Sequence, residues 1–390
     1  MADGYKELTL RVYQTYATTA LVDDLSGRWT SLTFSSALHG GFKELHTTVP
    51  MALEDAWMWM RREGAPGNHY RHVELTDRLG TVWEGRIVDI GLRMDRAFVG
   101  LDITALGYWS SMRDRLYDVV TDWKLGGPHN TGKIIREMIT QECPDINGTA
   151  DVELSPEDVV GIDLTGGTAY PMDVIIDKLA PLAGTGTAVY YFSVYGTRKP
   201  VWTSRAVTNI HWLVSLQDME RLEIVQQGIN VRNYVLPVIG TAAGTGSLNA
   251  ESTANYPRRA ITLELQAGVP TTAANNARDA MIQERRFPSQ SESFTISGNV
   301  FSTRTGNLAQ SVGQAMEERP KWWVRAGEVI RIRDLVPHSA ATGTLDNLRT
   351  FYILETVYDA GRDVLEVQPD RPAALLSSIL ARTVSVERHV

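Results

Sequence analysis

The chain has one cysteine, Cys143, in 390 residues. That excludes an intramolecular disulfide and every zinc-binding cysteine pair, and it leaves the thiol as a packing group. No run approaches about eighteen apolar residues, so a membrane-spanning helix is not expected. The start, Met-Ala-Asp-Gly-Tyr-Lys-Glu, lacks a basic n-region and an apolar h-region, so Sec export is not expected either. Lysine and arginine form no long block. With a net charge of −8 the chain is not expected to carry a dedicated nucleic-acid groove, and acidic surfaces that faced DNA would act as repellers. Gly-x-Ser-x-Gly and His-Glu-x-x-His are both absent, which removes the strongest hydrolase signals.

What is present is ordinary for a folded chain, 43% hydrophobic and 22% charged, and long enough for two to four domains with sizeable cores. The most informative stretch runs from Lys321 to Gln368. In Trp323 to Asp334, Ile330 and Ile332 alternate with Arg331 and Arg333, the period of two of a strand wet on one face. Phe351 to Tyr358 alternates with apolar residues on both faces: Phe351, Ile353 and Val357 share one with Glu355, and Tyr352, Leu354 and Thr356 line the other. Asp363 to Val367 follows a short loop in which Gly361 is expected to take the positive φ of a hairpin turn. Two apolar faces in the second strand predict a small barrel or a covered sheet.

From the start of the chain, Leu8 to Val12 and Trp29 to Phe34 alternate as strands, the second ending at Gly40-Gly41-Phe42, where paired glycines permit a bulge or sharp bend. Pro50 opens a helix with Leu53, Ala56, Trp57 and Met60 at helical spacing. Three strands, Tyr70 to Thr76, Val82 to Ile90 and Ala97 to Thr104, form a second meander. Without a strict repeat, any likeness between this meander and the closing one is structural only. Beyond Met112 the period lengthens to that of a helix. One helix spans Thr131 to Glu142 with Ile134, Ile135, Met138 and Ile139 on a stripe; another begins near Pro171 with Val174, Ile175, Leu179 and Leu182. Val189 to Val194 and Val201 to Ser204 form a hairpin, with further strands at Leu222 to Val225 and Val231 to Ile239. Gly240 to Asn255 reads as a long surface loop with Leu248 as its one sizeable apolar residue, either a disordered connection or a segment ordered by a neighbouring component or another subunit. Helices follow over Thr272 to Arg286, packing through Ala274, Ala277 and Ala280, and over Asn307 to Glu318, stopped by Pro320.

The fold class expected is therefore α+β, mostly antiparallel β, in three parts: residues 1–111 as an N-terminal β region, 112–220 as an α+β insertion, and 221–390 as a second β region with a helical insertion at about 270–318.

Four stretches suggest chemistry. Gly127 to Lys133 fits the first seven positions of a phosphate loop, but Ile134 stands where the magnesium-binding Ser or Thr belongs, so a Gly-Pro turn capping a helix is the preferred reading. His69 and His72, three apart at a strand start, fall on opposite faces and lack a third ligand; they read as surface histidines. Cys143 with His211 would make a thiol and base, with no flanking motif to support it. Asn147-Gly148-Thr149 matches a glycosylation acceptor in a chain without a secretory signal. No catalytic, cofactor-binding or metal-ligating residue is assigned.

With catalysis unsupported, the arrangement carries the inference. The strand order, Gly40-Gly41-Phe42, the strand Val82-Trp83-Glu84-Gly85-Arg86-Ile87, Ala105-Leu106-Gly107-Tyr108, and Val324 to Ile332 with the final meander resemble the phage tail baseplate hub proteins of contractile and siphophage tails, including the front part of tail-associated lysin proteins. The resemblance implies two tail-tube-like β-barrel domains per chain, with the smaller α+β part outside. It implies a homotrimer forming a pseudo-sixfold ring at the virion tail tip that adapts the hexameric tube to a threefold tip. The implied partners are a distal tail protein ring, the C-terminus of a tape measure protein, and tail fibre or central tip proteins. DNA would pass through the lumen without specific binding, and no cofactor is implied. The chain ends at Val390, so wall degradation is expected to lie in another chain. The rival reading is a β-rich carbohydrate-active or receptor-binding module using the ten tryptophans as platforms. Trp57, Trp59, Trp83, Trp109, Trp322 and Trp323 sit in periodic segments, where an aromatic is more often core or interface.

Overall fold

The computed structural model describes residues 7–17, 20–60, 68–96, 98–117, 129–154, 158–159, 169–180, 183, 190–204, 210–227, 231–265, 269, 271–285, 289–303, 317–333 and 350–370. Within these residues the chain is mostly antiparallel β-sheet. The first meander forms as expected, His72–Asp77 against Gly80–Met94 against Val99–Leu106. Thr9–Tyr13 extends it on one side and Gly40–Pro50 on the other. The closing meander is Val329–Arg333, Thr350–Asp359 and Val364–Asp370. Ser31–Ala37 pairs with both Gly40–Pro50 and Thr350–Asp359, so one continuous ladder joins the beginning of the chain to its end. No closed sheet is found among the described residues.

Burial explains why Thr350–Asp359 is central. Phe351 and Ile353 face one hydrophobic cluster, shared with Leu10, Trp83 and Ile330. Tyr352 and Leu354 face a second, built with Val329, Val235 and the helix residues Ala277 and Met281. The expected face assignment then breaks. A register shift between Ile353 and Glu355 moves one residue out of the alternation, so Tyr358 joins the first cluster and Val357 is 36% exposed. A bulge does this because one extra residue flips every later side chain to the other face.

Residues 108–202 supply a third cluster. The Thr131–Glu142 helix buries Ile134, Ile135, Met138 and Ile139 as its spacing predicts. They pack with Met172, Val174, Ile175 and Leu179, from a helix that starts with Pro171 in its first turn and widens to π geometry over Val174–Leu179. The hairpin Tyr190–Tyr195 with Lys199–Ser204 adds Phe192, Val194 and Trp202. This block joins the first sheet through a short parallel contact, Ser193 and Val194 beside Gly40 and Gly41. Gly41 is required there: its φ is +78° and a Cβ would lie 2.3 Å from the Val194 carbonyl oxygen.

Several expectations are corrected. Gly240 to Asn255 is not a bare loop: Ala242–Ala243 and Ser247–Leu248 pair with Tyr234–Ile239, and Ala250–Asn255 is a helix capped by Asn249. Short backbone ladders and a side-chain cap order the segment without apolar burial. The Leu53–Met60 helix buries Ala56 and Trp59, with Met60 packed beside them, and leaves Leu53 and Trp57 exposed; the Trp59 indole donates to Asp23 (3.0 Å). Strand geometry begins at Val329 rather than Trp323, after a 3-10 turn over Lys321–Trp323. In the last hairpin the positive φ falls on Asp363 and not on Gly361; Asp363 is held there by Tyr358 Oη (2.8 Å) and by Lys321 Nζ (3.0 Å). Glu317–Arg319, placed at the end of a helix by its sequence, is a strand paired with Val300–Ser302. The rest of that helix, up to 316, lies outside the described residues.

Candidate functional site: a buried polar junction and the pocket beside it

Glu84 and Arg86 lie on the Gly80–Met94 strand in a run, Val82 to Ile87, buried throughout. Burial on both faces forces each charge to find a partner. Arg86 donates through Nε to Ser110 Oγ (3.1 Å) and through both terminal nitrogens to Asp114, Nη2 to Oδ1 at 2.8 Å. Glu84 accepts the backbone N–H of Arg198 at 2.5 Å. Thr197 and Arg198 form the tip of the hairpin in the middle block, with φ of +61° and +57°. That left-handed pair is unusual for residues with side chains and turns the Arg198 amide toward the sheet. The Arg198 guanidinium lies 3.6 Å from the centre of the Tyr16 ring and donates to the Asp145 carbonyl oxygen (2.9 Å). His72 Nδ1 is 2.8 Å from Tyr108 Oη.

Desolvation governs the titration here. Burial pushes the Glu84 carboxyl up to about 7 even though the Arg198 amide and guanidinium pull it down. Burial, then the positive charge of Arg198, holds His72 down at about 4. The junction thus stores one carboxyl and one imidazole in forms that avoid charge.

Arg325 links this junction to a pocket of about 280 Å³. Its guanidinium sits among the rings of Phe42, Tyr195 and Trp323, 4.9–5.4 Å from their centres, and Nη2 reaches the Thr81 carbonyl oxygen (3.0 Å). The turn from Arg325 to Glu328 is pinned from all sides. Ala326 N–H donates to Ser36 Oγ (2.9 Å), the Ala326 carbonyl accepts from Tyr195 Oη (2.6 Å), and Glu328 Oε2 accepts from Trp212 Nε1 (2.6 Å) and from Arg325 N–H (2.8 Å).

The stretches singled out from sequence fall elsewhere. In the phosphate-loop look-alike, residues 127 and 128 lie outside the described residues. Asn130 caps the following helix by accepting from the amides of Gly132 and Lys133, the donors a phosphate would need. Gly132 is dictated by packing, since a Cβ there would lie 2.0 Å from the Glu153 carbonyl oxygen. His69 is exposed, whereas His72, expected at the surface, is 8% exposed and belongs to the junction. Cys143 and His211 are not brought together: the thiol is packed in the helical block and raised to about 12 by burial, while His211 lines the pocket. Asn147 donates to the Thr197 carbonyl oxygen (3.1 Å), supporting the hairpin tip. Of the tryptophans, Trp59, Trp83 and Trp322 are buried and Trp57 is 44% exposed. Among the described residues, no group of three or more His, Cys, Asp or Glu side chains is placed to hold a metal ion. Sequence reading missed Glu84 and Arg86 as a site; the available signal was two charges inside an otherwise apolar strand.

No family model matches the chain, and no curated protein matches it. Solved structures do. The fold is similar to that of the 43 kDa tail protein of prophage MuSo2 from Shewanella oneidensis, with a TM-score of 0.61 at 13% identity over 94% of this chain and 99% of that one. It is also similar to the tail protein from Neisseria meningitidis MC58, with a TM-score of 0.59 at 9% identity over 95% and 98% of the two chains. Prophage tail protein gp18 from Listeria monocytogenes EGD-e follows, with a TM-score of 0.54 at 10% identity over 97% and 99%. The chain has a phage tail-protein fold.

Proposed function

We propose that the chain is a structural, non-enzymatic component of a phage tail, acting as the hub at the tail tip. The observation that carries this reading is the end-to-end likeness of fold to three tail proteins, each covered over almost its whole length. In this reading three copies form a pseudo-sixfold ring. Residues 1–111 and 221–390 supply its two tube-like β regions, and 112–220 sits outside. The ring joins the hexameric tube and distal tail protein to the tip, receives the end of the tape measure protein, carries the tail fibre or central tip proteins, and lets DNA pass without specific contact. The ring contacts are heterologous, one patch meeting a different patch on the next copy, and an obligate contact of this kind buries roughly 2,000 Å² or more. The net charge of −8 suits a lumen that DNA must leave freely.

Mass photometry of the purified chain, alone and with its tail partners, tests the ring. A species of three times the 43.3 kDa of one chain is expected. Monomers alone at micromolar concentration, with no assembly when tail partners are added, would refute it.

A further inference from the structure

The pocket beside Arg325 has properties that a purely structural junction does not need. Its lining holds one positive and one negative side chain, Arg325 and Glu328, so its net charge is zero. Donors and acceptors are both left over. Ser193 is completely buried, and its Oγ has no hydrogen-bond partner among the described residues; the same is true of Arg325 Nε. His211 Nδ1 accepts from the Val329 N–H (3.0 Å), which places the ring proton on Nε2 as a further donor. Both bonds to Glu328 fall on Oε2, leaving Oε1 without one among the described residues. Around these groups stand aromatic walls, with Tyr191 and Tyr352 edge to face at 6.3 Å.

A buried hydroxyl without a partner costs free energy, so a lining that keeps one is balanced when something polar enters. The chemistry of the occupant follows from the walls. Zero net charge disfavours an anion or a cation, which would have to be desolvated against its own like charge. Mixed donors and acceptors between aromatic faces suit a neutral polyhydroxylated ring, whose C–H faces lie on the tyrosines and whose hydroxyls both give and take hydrogen bonds. At about 280 Å³ the pocket lies at the lower end of the roughly 300–1,000 Å³ of small-molecule sites. That is room for a single sugar unit and not for an extended chain.

We infer that this pocket binds one neutral saccharide unit through Ser193, His211, Arg325 and Glu328, a binding activity separate from any role in the tail. Saturation-transfer NMR on the full chain, with D-glucose, D-galactose and N-acetyl-D-glucosamine as probes at millimolar concentration, tests it. At least one probe should receive saturation, and Ser193→Ala should reduce that signal at least about fivefold by removing the buried donor. Val201→Phe, a half-buried residue on the pocket wall, should abolish the signal by filling the volume while leaving Ser193 in place. The second variant keeps the inference testable if the first folds poorly. Absence of saturation transfer to all three sugars would overturn it, as would transfer that persists unchanged in Val201→Phe, which would mean nonspecific surface contact. Competition of the sugar signal by acetate but not by a second sugar would identify an anion site instead and would also overturn it.

Discussion

Two polar regions lie on either side of Arg325, and they are built on opposite plans. At the junction, Arg86 is 7% exposed with Ser110 and Asp114 as partners, and Glu84 is 6% exposed with the Arg198 amide as its donor. In the pocket, Ser193 is more deeply buried than either and its hydroxyl is unpartnered among the described residues. Paired charges hold two parts of a fold in one arrangement; a buried hydroxyl left without a partner at the wall of a pocket is a place prepared for something else. The comparison predicts that junction variants act mainly on stability, while removing the Ser193 hydroxyl from the pocket leaves stability nearly untouched.

The largest expected effect is a pair of opposed pH dependences. The Glu84 carboxyl, raised from its ordinary 4.5 to about 7, binds its proton more tightly in the folded chain. Its contribution is therefore complete below about 4.5 and is lost as pH rises to 7. The His72 imidazole, lowered from 6.5 to about 4, does the reverse: stability is complete above 6.5 and is lost as pH falls to 4. Between 4.5 and 6.5 the two oppose each other. Glu84→Gln should unmask the His72 limb, with stability climbing from pH 4 to 6.5. His72→Gln should unmask the Glu84 limb, with stability falling from 4.5 to 7. Each difference from the parent chain should be on the order of 3 kcal/mol across its window. Calorimetric melting over pH 4–8, taken as variant minus parent, measures this; flat difference curves for both would remove the electrostatic account of the junction.

Arg86→Ala comes next, at about 2 kcal/mol of destabilisation. That is below the roughly 3–5 kcal/mol of a fully buried broken pair, because the Asp114 left behind is 44% exposed and can hydrate. Denaturant melts of the purified variant check the figure, with Arg86→Lys expected to fall between it and the parent. The smallest effect should be Ser193→Ala, neutral or stabilising by up to about 1 kcal/mol, since it deletes a buried hydroxyl that has no partner to lose. A loss larger than that in thermal melts would mean the pocket is held together like the junction, and the contrast between them would fail.

Much of the architecture was legible before the structure. The Thr131–Glu142 helix carries a clean apolar stripe and appears with the bounds its spacing predicts, and both meanders appear in order. Local pattern suffices in these places because each element buries one regular face. It failed where a single residue changes the count or where a partner lies far along the chain. The bulge after Ile353 swaps the faces of a strand whose composition is apolar on both sides, so nothing in the sequence marks the swap. Gly40–Pro50 passed unrecognised as a strand because it opens on two glycines and its buried face interrupts Leu45 and Val49 with Thr47, which is 3% exposed. The ordering of Gly240 to Asn255 rests on pairing with Tyr234–Ile239 and on the Asn249 cap, backbone interactions to which hydropathy is blind.

The sequence by itself determined the mostly antiparallel β class, the helical stripes of the middle block, and the lack of disulfide and long apolar segments, all properties that depend on composition and on spacing within a few residues. Tertiary structure alone decided the two sites. Glu84 meets Arg198, 114 residues on, only because a left-handed hairpin tip docks on the first sheet. Ser193, His211 and Arg325 share a pocket only because the turn before Val329 is pinned against strands from three parts of the chain. Burial turns a charged or hydroxylic residue into a site by taking away its water, and which residues lose their water is settled by long-range packing.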